Sequence, residues 1–475
     1  MALTWQGTKP LSSASEHVAA IIQSGKATAG DDLWLGKPVP RYTSYPPATL
    51  FHEGITTHDY AVAVAAIPAN EPISLYIHIP FCRELCLYCG CNTNVTHRNE
   101  RITHYLAAVR REMTLLAGLS SQPRRINHLH LGGGTPNILS ERHLKDLFAA
   151  LQRAFNFSDC REIAVELDPR HVTPAQVKTL AACGVTRVSL GVQDFKPEVQ
   201  KAINREQPYK MVEKACHDLR TAGIQHINFD LIYGLPFQTP ATMAATAEQV
   251  RPLAPDRISL FSYAHVPQIK KHQKALEVYG LPDKYTLLAM ESSARDVFCA
   301  AGYQAIGMDH FAKPDDSLAK ALLEKRLRRN FQGYTDDTAH VLLGLGASSI
   351  SRTSEGSFQN EREEMPYREI VEKNNLATVR GIHLSREDFL RGALIEELMC
   401  NLACDVEDLC RRMNYPVTGL ASELEALKPF EKAGLVKREG TRLQLITPYR
   451  MAIRVIAQVF DEASKDLNTA ASRAA

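Results

Sequence analysis

From residue 73 onward the chain switches repeatedly between two hydrophobic periods, and no other feature narrows its fold as far. Short apolar runs rich in β-branched residues occupy 73–79, 126–131, 162–167, 187–191, 226–232 and 257–263, with 301–306 as a seventh candidate. Between them, 102–116, 141–155, 174–183, 210–222 and 239–253 carry apolar residues at helical spacing. Such alternation predicts parallel strands joined by helical crossovers. Six or seven units in succession predict an open or closed β/α barrel. The runs read as apolar on both faces, as expected for a parallel sheet covered by helices.

In such barrels the functional groups stand at the C-terminal strand ends. Polar or Gly/Pro clusters follow the predicted strands in turn: Pro80-Phe81-Cys82, Gly132-Gly133-Gly134, Asp168-Pro169, Gln193-Asp194, Tyr233-Gly234-Leu235-Pro236 and Ala264-His265. The fold class expected is therefore α/β, a partial or open β/α barrel over 73–364, with a mainly helical module over 365–475. In that module 420–433 reads as a helix, 434–446 as a hairpin turning at Glu439-Gly440, and 449–462 as a closing helix. This order is winged-helix-like. Residues 1–40 read as an arm with a short helix near 16–24, and 41–72 as an extended segment.

The 55 basic and 53 acidic residues leave a net charge of +2, which gives no reason to expect nucleic acid as a partner. The longest apolar run, 61–68, is too short to span a bilayer, and the first thirty residues lack an apolar segment behind a basic start. The expectation is a cytoplasmic, monomeric protein whose clustered cysteines serve metal or catalysis rather than disulfides.

Four of the eleven cysteines fall in Cys82-Arg83-Glu84-Leu85-Cys86-Leu87-Tyr88-Cys89-Gly90-Cys91. Thiolates are the ligands of iron–sulfur clusters. Three of them on a four-iron cube leave one iron open to chelate a small molecule. A structural zinc site is the competing reading, but no second Cys/His pair follows at zinc-site spacing.

Cys-x-x-x-Cys-x-aromatic-Cys after a first barrel strand resembles the signature of radical S-adenosylmethionine enzymes. The resemblance implies a [4Fe-4S] cluster on Cys82, Cys86 and Cys89, reductive cleavage of S-adenosylmethionine, and a radical that abstracts hydrogen. It narrows further through His78-Ile79-Pro80-Phe81, Arg41-Tyr42-Thr43-Ser44-Tyr45-Pro46, Glu166-Leu167-Asp168-Pro169-Arg170, Gly191-Val192-Gln193-Asp194-Phe195, Gly307-Met308-Asp309-His310-Phe311 and Asn330-Phe331-Gln332-Gly333-Tyr334. From about residue 40 to the C-terminus the chain is similar to the oxygen-independent coproporphyrinogen III oxidases.

That family implies two S-adenosylmethionine molecules. By motif, the first touches Tyr76, Gly133 and Glu166. The second touches Tyr88, Gly134, Thr135, Gln193, Arg205, Asp230, Ala264 and Ile350. Read without the family, Arg205 and Asp230 would serve equally as a structural ion pair. The implied reaction converts two propionates of coproporphyrinogen III to vinyl groups, with electrons from a carrier such as flavodoxin or ferredoxin. A substrate with four carboxylates calls for cationic partners. Arg41, in the segment 41–47, is the leading candidate, with Tyr42, Tyr45 and Gln332 as helpers. A haem chaperone of related fold is the nearest rival, and Cys91 has no assigned role.

Overall fold

The computed structural model describes residues 30–465, so the helix expected near 16–24 lies outside the described residues. Each apolar run became a strand: β1 (Ile73–Ile79), β2 (Ile126–Gly133), β3 (Glu162–Leu167), β4 (Arg187–Gln193), β5 (His226–Tyr233) and β6 (Arg257–Ser262). Neighbours pair in parallel in that order. The linking helices Asn99–Ala117, Glu141–Ala154, Pro174–Ala182, Tyr209–Thr221 and Pro240–Val250 cover the outer face. Three of them start on a side-chain cap: Ser140, Thr173 and Thr239 each accept a backbone N–H of the first turn, the last two with proline at the first helical position.

The run at 301–306 does not continue the barrel. It yields β7 (Gln304–Ile306), an edge strand antiparallel to β8 (His310–Ala312), itself antiparallel to β6. The seventh parallel strand is β9 (Val341–Leu345), which pairs with β1 from Ile73↔Val341 to Ile77↔Leu345. Three antiparallel strands follow: β10 (Ile350–Arg352), β11 (Gly356–Asn360) and β12 (Thr378–His383). The resulting twelve-stranded sheet runs β12-β11-β10-β9-β1-β2-β3-β4-β5-β6-β8-β7. No pairing joins β12 to β7 among the described residues, so the barrel is partial.

The two faces of the strands also differ, contrary to the sequence expectation. Leu75, Ile77, Leu129, Leu131, Val165, Val188, Leu190, Phe229 and Leu231 are buried in the core beneath the helices. Intervening positions, among them Tyr76, His130, Glu166, Ser189, Asn228 and Asp230, are polar and only partly buried. Helices cover one side of the sheet alone, and its curvature leaves the other facing a polar lumen. At the N-terminal strand ends an ion network closes that lumen. Arg187 bonds Glu162 (2.7 Å) and Asp316 (3.1 Å), and Arg257 bonds Asp316 (2.7 Å). Burial opposes charge on Glu162, yet Arg187 and Arg257 outweigh it and hold its carboxyl well below the usual range. Ligands therefore have the opposite end.

A second core joins the two chain ends. Trp34, Leu35 and Val39 are buried with Leu390, Leu394 and Leu398 of the helix Arg386–Asn401 and with Ile453 and Ile456 of the helix Ile453–Gln458. The C-terminal hairpin Val436–Glu439 and Arg442–Leu445 gains a third strand, Ala403–Asp405. Segment 41–47 is bent rather than extended: Tyr42 has φ of +47° and the Tyr45–Pro46 peptide is cis.

Candidate active site

The cysteine loop leaves the C-terminal end of β1. Phe81–Cys82 bridges to Asn94–Val95, and Leu87 and Tyr88 pack against Val199, Ile203, Leu235 and Leu276. The loop after β2 presses against it, with Gly134 N donating to Ile79 O (2.8 Å) and Thr135 N to Phe81 O (2.9 Å). A Cβ on Gly134 would collide with the Phe81 carbonyl and the Thr93 hydroxyl, so this approach requires glycine.

Hydrogen-bond donors converge on the sulfurs. Thr93 Oγ1 donates to Cys82 Sγ (3.1 Å). Cys86 is buried and receives Arg205 Nη1 (3.4 Å) and Arg170 Nη2 (3.7 Å). Asp168 bridges that pair, accepting from Arg205 at 3.1 Å and Arg170 at 2.8 Å. Burial works against its charge, but Arg205 and then Arg170 hold its carboxyl down at about 2. The neighbouring Cys91 thiol, acting against burial, holds the Cys89 thiol below its ordinary value. Burial raises the Cys82 thiol to about 12.

Tyr76, Gly133 and Glu166 lie together. Glu166 Oε2 accepts from Gly133 N (3.3 Å) and its Oε1 pairs with His130 Nε2 (2.9 Å). Tyr76 stacks on the His130 ring at 5.9 Å and reaches His78 Nδ1 at 3.0 Å. The Glu166 side chain remains 40% exposed, so an acceptor faces the open lumen.

Four of the other eight candidates meet at the ends of β4–β6. Arg205 Nη2 donates to Gly191 O (2.7 Å), and a Cβ at Gly191 would stand 2.8 Å from Gln193 Nε2. The Arg205 cation acts on Tyr88, whose hydroxyl pKa burial nevertheless raises. Gln273 Nε2 links Tyr88 O (2.9 Å) to Ala264 O (3.2 Å). Gln193, at φ of +66°, has a buried Oε1 with no partner. Asp230 lies deeper and pairs not with Arg205 but with Ser189 (2.7 Å) and Asn228 (2.9 Å). Burial raises its carboxyl, and the Glu166 charge adds to the effect. Thr135 is buried against Asn137. Ile350 sits on the other limb of the sheet, beside Gly344, which pairs with Tyr76.

On the substrate side, Arg41 Nη2 donates to Ser262 O (2.7 Å) at the end of β6. Gln332 Nε2 is buried without a partner. Tyr42 and Tyr45 turn elsewhere. Tyr42 OH donates to Asp461 (3.0 Å), and Tyr45 OH accepts from Ala463 N (3.3 Å). Both border a cavity of about 2080 Å³ that reaches the C-terminal module and includes none of the four loop cysteines.

The radical SAM superfamily model matches residues 76–250. The oxygen-independent coproporphyrinogen III oxidase of Bradyrhizobium diazoefficiens is 43% identical over 423 residues, covering 89% of this chain and 94% of that one. The Escherichia coli protein of the same name is 40% identical, covering 89% and 92%. The solved structure of E. coli coproporphyrinogen III oxidase, a radical SAM enzyme, superposes with a TM-score of 0.85 at 39% identity over 89% of this chain and 97% of that one. The chain belongs to the oxygen-independent coproporphyrinogen III oxidase family.

The family implies a [4Fe-4S] cluster and S-adenosylmethionine, and the residues present fit them. Three thiols share one loop; two guanidinium groups point at the Cys86 sulfur and a hydroxyl at the Cys82 sulfur, the kind of hydrogen bonding that tunes cluster-bound thiolates. The orphaned Gln193 Oε1 and the half-open Glu166 carboxylate supply acceptors beside them.

Sequence reasoning passed over several residues that this site gathers. Arg170 and Asp168 lie within a quoted motif, but their contact with Cys86 is a property of the fold. Arg329 gives Nε to Tyr42 O (3.2 Å) and Nη2 to Arg41 O (3.3 Å), lies 4.4 Å over the Tyr334 ring, and keeps Nη1 buried and unpartnered. His310 Nδ1 is 2.6 Å from Asp309 Oδ1. Burial opposes charge on Asp309, but His310, Arg329 and Arg41 outweigh it and lower its carboxyl. The adjacency Asp309-His310 and the Arg328-Arg329 pair were the signals available.

Proposed function

We propose that this chain converts two propionate side chains of coproporphyrinogen III to vinyl groups, giving protoporphyrinogen IX in oxygen-independent haem synthesis. Cys82, Cys86 and Cys89 would hold the cluster, and two S-adenosylmethionine molecules would occupy the two residue groups described. When bound, cluster and S-adenosylmethionine supply one-electron cleavage and a hydrogen-abstracting radical. What supports the reading is that the thiol loop follows the C-terminal end of β1 and Arg41 is held by Ser262 O at the C-terminal end of β6 in the same sheet, with Arg329 bonded to the Arg41 and Tyr42 carbonyls.

Each conversion removes one hydrogen atom, one electron and carbon dioxide from an ionised propionate, so atoms and charge balance without a separate base. The chain's task is thus to bind and orient. Glu166 accepts hydroxyl donors of a ribose. Gly133 and Gly134 allow backbone to approach an amino acid moiety. Arg205, fixed by Gly191 O and Asp168, keeps positive charge beside Cys86. The unpartnered Arg329 Nη1 and Gln332 Nε2 suit a carboxylate, because a buried donor left unsatisfied costs about 1–3 kcal/mol and a charged acceptor recovers it.

The test is an anaerobic assay with coproporphyrinogen III, S-adenosylmethionine and a reductant. Carbon dioxide and protoporphyrinogen IX should form in a two-to-one ratio. Tight haem binding without any vinyl product would refute the reading. No helix among the described residues is long and apolar enough to cross a membrane.

A further inference from the structure

Nine large hydrophobic side chains are exposed among the described residues, and five of them lie beside the cysteine loop: Val95, Phe237, Ile269, Val278 and Tyr279. Val95 pairs with Cys82. The other four belong to a cover over the loop. Lys270 Nζ donates to Cys91 O (2.7 Å), His272 Nε2 lies 2.9 Å from Cys89 O, and Gln273 Nε2 donates to Tyr88 O (2.9 Å). Leu276 turns inward onto Leu87 and Tyr88. On the outside, Val278 is 79% exposed and Ile269 61%, and Tyr279 meets the Phe237 ring at 5.1 Å. Large apolar side chains gathered this way beside a functional loop mark an interaction surface.

Its charge is equally local. Over 266–279 there are three lysines, Lys270, Lys271 and Lys274, against one acid, Glu277, which is bonded to His265 at 3.0 Å. The whole chain of 475 residues carries only +2. Lys271 and Lys274 are exposed and appear in no ion pair among the described residues. At the rim, Gly90 and Cys91 are exposed, and a Cβ on Gly90 would meet nothing within 4 Å. The cysteine loop is thus exposed at Gly90 and Cys91, where Lys270 of the basic segment meets it.

We propose that this cover, Ile269 to Tyr279 with Phe237, is the docking surface for a small acidic protein carrying a one-electron redox centre. Its basic rim complements an acidic carrier and speeds encounter, while its apolar centre supports a small, transient interface. One electron leaves the carrier and one arrives at the cluster; no bond forms or breaks. The inference deepens the proposed function and rests on it.

The test uses the cluster-loaded full chain, a purified acidic flavodoxin, and the double variant Lys271→Glu with Lys274→Glu. Binding of oxidised flavodoxin, read by fluorescence anisotropy without turnover, should weaken about tenfold or more in the variant. In the unaltered protein it should weaken with added salt, since screening acts over about 8 Å at physiological ionic strength. Deoxyadenosine formation driven by reduced flavodoxin should fall similarly, while the dithionite-driven rate stays unchanged. Val278→Asp should reproduce the pattern without altering basic charge. Unchanged flavodoxin binding, or equal loss with both reductants, would overturn the proposal. An unaltered protein that makes no deoxyadenosine even with dithionite would instead defeat the reading beneath it.

Discussion

Glu112, on the helix Asn99–Ala117, is fully buried and forms no ion pair among the described residues. Its carboxylate accepts from Tyr367 OH (2.6 Å), Gly346 N (2.8 Å) and Asn360 Nδ2 (2.6 Å). The titratable groups facing it are tyrosines: Tyr367, Tyr105 and Tyr60. Burial raises its carboxyl to about 7, and the three hydrogen bonds only partly offset that rise. Between an unfolded value near 4.5 and about 7 the folded protein binds more protons than the unfolded chain. Stability is therefore fully present below 4.5 and is lost as pH rises through 7. The shift corresponds to about 3 kcal/mol. If the whole chain melts together, at about 2.1 cal/mol/K per residue, that is about 3 °C in Tm. The perturbation is Glu112→Gln, which cannot titrate. Calorimetric Tm should be recorded for both proteins from pH 5 to 8.5. The difference should move by about 3 °C in favour of the variant across this range, most steeply between pH 5 and 7. A difference independent of pH would refute the reasoning, because subtraction removes every other titrating group.

Three other perturbations address the site and the fold. Replacing Cys82, Cys86 or Cys89 with Ser should abolish deoxyadenosine formation and lower bound iron and sulfide, whereas Cys91→Ser should keep the cluster, because Cys91 lies outside the three-cysteine motif; iron and sulfide analysis after anaerobic purification checks both. Arg329→Met should raise the KM for coproporphyrinogen about tenfold or more by removing a charged donor, while S-adenosylmethionine cleavage persists. Gly307, at φ of +53°, would place a Cβ inside the Tyr334 ring, so Gly307→Ala should cost about 2–4 kcal/mol from strain and overpacking, visible as a lower Tm with unchanged cluster content.

Periodicity and spacing alone determined the six parallel strands, the helices between them and the position of the cysteines at the first strand end. These are local properties: a run of β-branched residues and four cysteines within ten positions constrain their own neighbourhood whatever surrounds them. Much of the rest was decided by tertiary structure. Val341–Leu345 pairs with β1 across more than 260 residues, and Gly344 within it and Gly346 just after it hid it from a strand search. Hydrophobicity also did not show which strand face would meet helices and which the lumen, because the curvature of the sheet sets that division. The same holds for partners. Arg205 and Asp230 are adjacent in motif logic, yet Arg205 meets Asp168 across 37 positions, and Asp230 turns to Ser189 and Asn228. The charged cluster takes Arg41, Asp309 and Arg329 from three distant segments. Their convergence depends on segment 41–47, the hairpin Arg328–Asn330 with Gly333–Thr335, and the start of β8 packing together, which no single stretch of sequence encodes.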